Sequence, residues 1–223
     1  MTSIRVRYQT VEFGDVDIHI RSLRDSQQFY DAEGIAEKLG ISSASWPIFG
    51  IVWGSGEVLA RYLYDIDIAG RRVLEVGCGI GLASLLLNHR GADITATDYH
   101  PEAGNFLAEN ARLNGDRDIP FLRTGWADDD GALGLFDLIV GSDLLYEAEH
   151  VDLLSKFIDR HARPRCEVII VDPGRGNHAR FSKRMVALGY VHTQALSVHG
   201  AALNPPLRAQ VLRYIRSSPQ EVY

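Results

Sequence analysis

The stretch Arg72-Val73-Leu74-Glu75-Val76-Gly77-Cys78-Gly79-Ile80-Gly81 decides the fold. Val73 to Val76 reads as a short apolar strand, and three alternate glycines then turn the chain. Leu82, Leu85 and Leu86 follow at the i, i+3, i+4 spacing of a helix. Strand, glycine turn and helix in that order build the nucleotide pocket of an α/β sheet. Glycines lack Cβ atoms, so the backbone can bend sharply and a ligand can lie against it. Such a ligand sits at the carboxyl end of the strand, beside the free N–H groups of the helix N-terminus.

The spacing excludes two common nucleotide motifs. A dinucleotide fingerprint needs G-x-G-x-x-G/A. Counting from Gly77 and Gly79 the third place is Leu82, and counting from Gly79 and Gly81 it is Ser84. The phosphate loop G-x-x-x-x-G-K-[S/T] occurs nowhere in the chain. What stands here is Glu75-x-Gly77-x-Gly79-x-Gly81, with Cys78 inside it. This resembles motif I of the class I S-adenosylmethionine (SAM) methyltransferases. The resemblance implies an acid at the strand end and glycines cradling the amino-acid half of the cofactor. The competing reading is a tight strand–helix turn without a ligand.

A second acid supports the cofactor reading. Ala92 to Thr97 reads as the next strand and ends at Asp98-Tyr99, with Asp98 lying 19 positions after Gly79. An acid about 20 residues beyond such a loop, at the end of the second strand, can accept hydrogen bonds from both ribose hydroxyls. Pro101 and Glu102 follow and open a helix, so a helix-terminus role for Asp98 is compatible with the same position.

The 223 residues suit one methyltransferase-sized domain, expected over residues 46–223, with an N-terminal extension over 1–45. Hydrophobic residues make up 46% and charged residues 23%, as in ordinary globular proteins. A formal net charge of -6 argues against a broad nucleic-acid surface or an anionic membrane partner. Cys78 and Cys166 are the only cysteines, which points to a reducing, cytoplasmic setting. No apolar run approaches the roughly 18 residues of a membrane span. The eight histidines show no metal-ligand spacing, and no metal is expected.

Arg5 to Phe13 and Val16 to Ile20 alternate polar and apolar around Gly14-Asp15, which predicts a β-hairpin. A helix is expected from Asp25 to Gly40. Trp46, Phe49 and Trp53 then crowd a glycine- and proline-containing loop. Trp46 and Phe49 read equally as a hydrophobic plug. Trp53, just before the helix Glu57 to Tyr64, is placed to cover the cofactor and to face its sulfonium. Further on come a helix from Pro101 to Asn114, a strand from Phe121 to Thr124, and a buried strand from Phe136 to Ser142. A helix from Glu149 to His161 is broken by Pro164, and a strand from Glu167 to Val171 follows. A helix from His178 to Leu188 and strands Tyr190 to Val198 and Gln210 to Arg216 complete the chain. The alternation predicts a Rossmann-like, doubly wound, mostly parallel seven-stranded sheet whose last strand is antiparallel. Trp126, after the third strand of that sheet, either stacks on adenine with Asp128 at its edge or joins the core.

Four features together resemble one branch of the class I enzymes: Trp53-x-Ser55-Gly56, the glycine motif, Asn110-Ala111-Arg112-Leu113-Asn114, and Asp143-x-x-Tyr146. The branch is the seven-β-strand protein-lysine methyltransferases, and Asp172-Pro173-Gly174-Arg175 resembles the group within it that acts on the electron-transfer flavoprotein β-subunit. The branch usually has Trp-Pro where this chain has Trp53-Gly54. The resemblance implies SAM as cofactor and a protein lysine as acceptor, with no membrane or nucleic-acid partner. It implies Trp53, Glu75, Gly77, Cys78, Gly79, Gly81, Asp98, Tyr99, Trp126 and Asp143 around the cofactor. Asp143 would orient the amine, Tyr146 would wall the channel, and Asp172 and Arg175 would line it or pair with each other. The alternatives are a small-molecule N-methyltransferase and a non-catalytic SAM-binding protein. Asn204-Pro205-Pro206 resembles a catalytic motif of other N-methyltransferases, but it lies in the last hairpin loop and reads as turn chemistry.

Overall fold

The computed structural model describes residues 5–25, 34, 38, 48–128 and 133–217. The helix expected from Asp25 to Gly40 lies almost wholly outside these residues, as does Trp46. Two strands, β1 (Val6–Phe13) and β2 (Val16–Leu23), form the expected hairpin about Gly14-Asp15. Helix α1 (Gly54–Tyr64) leads to β3 (Arg72–Val76), α2 (Leu82–His89), β4 (Asp93–Asp98), α3 (Ala103–Leu113) and β5 (Phe121–Arg123). The second half runs β6 (Phe136–Ser142), α4 (His150–His161), β7 (Ala162–Asp172), α5 (His178–Ala187), β8 (Val191–Leu196), α6 (Val198–Ala201) and β9 (Gln210–Arg216).

Seven of these strands form one sheet in the order β5-β4-β3-β6-β7-β9-β8. Every neighbouring pair is parallel except the two made by β9, which runs against both β7 and β8. The carboxyl ends of β3, β4, β6 and β7 therefore lie along one edge. The winding reverses between β3 and β6, and their ends flank the crevice where α/β sheets bind ligands.

Alternate side chains of each central strand feed two cores. Val73, Leu138, Val140, Ile169 and Val171 pack on the face covered by α1, α2 and the hairpin. Leu74, Val76, Ile139, Val168 and Ile170 pack on the face covered by α4 and α5, against Phe157, Ile158, Phe181 and Met185.

The hairpin stays outside the main sheet and is fastened by two asparagines one helical turn apart, Asn110 on α3 and its C-cap Asn114. Asn114 accepts the His19 amide at 2.7 Å and donates to the His19 carbonyl at 2.8 Å. Asn110 does the same for Arg21, at 2.7 and 3.2 Å. Each side-chain amide thus supplies what a neighbouring strand would have supplied to β2.

The structure departs from the sequence expectations in the limits of two strands. The strand expected from Glu167 begins at Ala162, directly after the helix, with Pro164 inside it. Pairing with β6 jumps there from Phe136↔Ala162 to Leu138↔Glu167, a bulge that needs no amide from proline. Arg216 donates to the Ala162 and Arg163 carbonyls at 3.1 and 3.2 Å across that bulge. The strand expected to reach Val198 ends at Leu196, because Val198 to Ala201 coil into α6. Phe49 is buried, stacked on His100 at 3.9 Å between centroids and edge-on to Phe106 at 5.3 Å, so it is a core residue.

Candidate active site

All three glycines of the β3–α2 turn are left-handed, with φ of 62° at Gly77, 56° at Gly79 and 81° at Gly81. Their surroundings differ. A Cβ on Gly77 would lie 2.5 Å from Leu144 Cδ2, and one on Gly81 would lie 2.3 Å from Leu107 Cδ1. A Cβ on Gly79 would meet no atom within 4 Å. Gly77 and Gly81 are therefore required by packing, whereas Gly79 faces open space.

Glu75 braces this turn from beneath. Helix α2 has no side-chain cap of its own. Glu75 supplies one across the loop, accepting the Ser84 amide at 2.9 Å and the Ser84 hydroxyl. Its carboxyl is buried, and burial raises it to about 7 against the pull of the Ser84 hydrogen bonds. Cys78 is held by its amide on the Thr97 carbonyl at 3.0 Å. Burial, with the charges of Asp98 and Glu75, pushes its thiol well above the usual range, so it is a poor nucleophile.

Asp98, at the end of β4, joins two loops. One carboxylate oxygen accepts the Gly79 amide at 2.8 Å and the other accepts the His100 amide at 2.8 Å. Burial raises its carboxyl, and the backbone amides of His100, Gly79 and Tyr99 oppose that. Tyr99, half-exposed, lies beside Gly125, where an added Cβ would be 3.4 Å from its ring. Asp128 accepts the Gly125 amide at 2.6 Å and so shapes the turn after β5.

Asp143 follows β6 and is the one non-glycine residue with positive φ, 55°, among the described residues. Its amide donates to the Val171 carbonyl at 2.9 Å, which fixes it against the end of β7. Its carboxylate takes both prongs of Arg175, Nε to Oδ1 at 2.8 Å and Nη2 to Oδ2 at 2.9 Å. The guanidinium does not pair with the Asp172 carboxylate, as one of the two expected arrangements had it, but with Asp143. Asp172 binds the backbone of the same loop, accepting the Gly174 and Arg175 amides at 2.7 and 3.0 Å through Oδ1. Asp172 Oδ2 is buried without a hydrogen bond, 3.9 Å from His178 Nδ1.

Tyr146 stands edge-on to His150 at 4.6 Å, and His150 edge-on to Trp126 at 5.1 Å. Trp126 also packs against the core under α4, which leaves Tyr99 as the exposed ring beside the β5 turn. The Tyr146 phenol is pushed up to about 12, first by burial and then by Glu147, Asp98 and Asp143. Asp98 at the end of β4 and Asp143 just after β6 stand on either side of β3 and its glycine turn. Trp53 precedes α1, with its Nε1 on the Ile48 carbonyl at 2.8 Å. Gly56, in the first turn of α1, faces the end of β6, where an added Cβ would be 3.6 Å from Ser142 Oγ. His100, Ser84 and His150 were not singled out by sequence reasoning. His150, four residues after Tyr146 at the start of a helix, carried the one usable signal. The described residues contain no group of three metal-ligating side chains and no helix long and apolar enough to cross a membrane.

A mostly parallel seven-stranded sheet in this order, with a glycine turn after β3 and an acid after β4, defines a Rossmann-like methyltransferase fold. The sequence profile of the family described as lysine methyltransferase matches residues 37–185, and the chain belongs to that family. The electron transfer flavoprotein beta subunit lysine methyltransferase of Xenopus laevis is 35% identical over 144 residues, covering 63% of this chain and 56% of that protein. The mouse protein of the same name is 32% identical over 152 residues, covering 66% and 59%. The chain thus spans a little over half the length of these relatives. Among solved structures, the ribosomal protein L11 methylase of Lactobacillus delbrueckii superposes with a TM-score of 0.59 at 24% identity, covering 77% of this chain and 83% of that one. The T. thermophilus 16S rRNA N2 G1207 methyltransferase, solved with AdoMet and guanosine, gives 0.63 at 17% identity, covering 96% and 51%.

Proposed function

We propose that this chain transfers the methyl group of SAM to a lysine side chain of a protein. The observation that carries the proposal is the placement of Asp98 at the end of β4 and Asp143 just after β6, on either side of the glycine turn that follows β3 and that Asp98 binds. Open space over Gly79 and the Asp98 carboxylate beside it fit a ligand with an extended polar end and a cis-diol. Gly77 to Gly81 would hold the amino-acid half, Asp98 the ribose, and Tyr99 the adenine. When bound, SAM supplies an electrophilic methyl group on a sulfonium.

The chain's own residues would prepare the acceptor. A lysine in water has a pKa of about 10.4 and must lose a proton before it can react. Asp143, fixed by its left-handed backbone and by Arg175, aims the nitrogen. Tyr146 stays a neutral phenol up to about 12 and walls the channel on one side. Holding the nitrogen in attack geometry supplies much of the rate. The flavoprotein β-subunit named in the relatives is the first substrate to try.

Calorimetry tests the cofactor and radiolabelled SAM tests the acceptor. Wild type should bind SAM, and Asp98→Ala should lose that binding. Label should enter a protein band of a lysate or the purified β-subunit, and Asp143→Ala should abolish it while still binding SAM. Label confined to small molecules would refute the protein-lysine assignment.

A further inference from the structure

The loop after β7 is built to aim Arg175 at Asp143. Asp172 folds the loop by taking the Gly174 and Arg175 amides. Asn177 ties it to the β6–α4 loop by donating to the Leu145 carbonyl at 2.9 Å. The guanidinium then meets the carboxylate with two near-parallel hydrogen bonds, the strongest form of this pair. The Asp143 side chain is only 15% exposed and Arg175 is 47% exposed, so the cation lies over the acid from the solvent side.

A bare carboxylate is a poor partner for a reacting amine. It favours the charged ammonium, which binds well but has no lone pair. The other groups around the pair add to the difficulty. Asp172 on β7 acts on Arg175, and Asp98 on β4 and Glu147 in the β6–α4 loop act on Tyr146. His150 from α4 and His178 from α5 are the imidazoles at its margins. Arg175 brings a positive charge that no accessible pH removes.

We propose that Arg175 is a positioning residue that cancels the charge of Asp143 in the acceptor site, so that the arriving lysine is held as the neutral amine. This rests on the lysine reading above. The ammonium gives one proton to water on entry. The nitrogen lone pair forms the new N–C bond, the S–C bond breaks with its electron pair going to sulfur, and the product is a methylated ammonium plus a neutral thioether. Arg175 takes no part in those bonds and acts through Asp143 alone.

The test uses the full chain saturated with S-adenosylhomocysteine, with n-butylamine as the lysine analogue, in wild type, Arg175→Gln and Arg175→Lys. Wild type should bind butylamine more tightly as pH rises, because it selects the neutral form. Arg175→Gln should begin that rise about one pH unit higher and bind up to about tenfold more tightly than wild type at pH 7, a shift of about one unit in the bound amine. Arg175→Lys should follow wild type. With the labelled β-subunit, the rising limb of kcat against pH should move up by about one unit in Arg175→Gln, with its high-pH plateau kept. The same pH dependence in wild type and Arg175→Gln, or no butylamine binding to either, would overturn the proposal. Calorimetry of S-adenosylhomocysteine on the same samples separates the two levels. If the cofactor product binds and only the pH trend is missing, the charge-cancelling role fails alone. If it does not bind, the methyl-transfer reading fails with it.

Discussion

Asn110 reads the backbone of Arg21 in both directions, accepting its amide at 2.7 Å and donating to its carbonyl at 3.2 Å, 89 residues away in the chain. The same amide group reaches the Ile80 carbonyl inside the glycine turn at 3.4 Å. One fully buried side chain therefore links the hairpin, α3 and the glycine turn. Asn110→Ala leaves the Arg21 amide and carbonyl without partners in the core. It should cost about 2–4 kcal/mol, lowering Tm by roughly 5–10 °C. Asn114→Ala, at the exposed end of the same face, should cost less than about 1 kcal/mol. Urea unfolding of the two variants checks the contrast, and equal losses would contradict it.

The glycine turn makes a second contrast. Gly79→Ala adds a methyl group to open space, so folding bears only the left-handed backbone penalty of about 1–2 kcal/mol. The methyl group would occupy the surface where the cofactor should lie. This variant should fold and lose SAM affinity by about a hundredfold, near 2.7 kcal/mol. Gly81→Ala drives its methyl into buried Leu107 and should be the less stable of the two by about 1–3 kcal/mol. Thermal melting with and without SAM distinguishes them. A Gly79→Ala protein with wild-type SAM affinity would remove the glycine from the binding surface.

Glu75 predicts a pH dependence of stability. Its carboxyl is raised from an ordinary 4.5 to about 7, chiefly by burial. The folded protein holds this proton more tightly than the unfolded chain does. The contribution is complete below about 4.5 and is lost as pH rises through about 7. Over that window the loss amounts to about 3 kcal/mol. Glu75→Gln keeps an acceptor for Ser84 and has no proton to lose. The stability of wild type relative to this variant should fall between pH 4.5 and pH 8, measured by paired denaturant titrations. A constant difference across that range would contradict the raised carboxyl.

The sequence made the sheet legible because its signals are local. Val73 to Gly81 and Phe136 to Asp143 each combine a buried strand with the turn that ends it, and strand alternation then determines the direction of the sheet. Asp98 was legible because its spacing from Gly79 reflects one crossover helix. The Asp143–Arg175 pair was not, since nothing local says which of two nearby acids a guanidinium will choose. Asp172 turned its carboxylate onto its own loop, and that left Asp143 to Arg175. The role of Glu75 was hidden for the same reason: its partner Ser84 lies nine residues on, across a turn whose path only the fold reveals. Pro164 misled because a bulge opposite β6 removes the need for its missing amide.

Tyr146 separates a wall from an acid. A phenol pushed up to about 12 is protonated at neutral pH, so it cannot take the proton of the acceptor amine there. Its contribution must then come from its ring, which stands edge-on to His150 and, through His150, is backed by Trp126. Tyr146→Phe keeps that ring and should retain methyl transfer within about fivefold, with the pH profile unchanged. Tyr146→Ala opens the channel to water and removes the support for His150, and should lower kcat by about a hundredfold or more, since misplacement of about 1 Å can cost that much. Both should bind SAM nearly as wild type does. Steady-state kinetics of the pair on one protein substrate decides the point. A Tyr146→Phe variant as inactive as Tyr146→Ala would transfer the role from the ring to the hydroxyl.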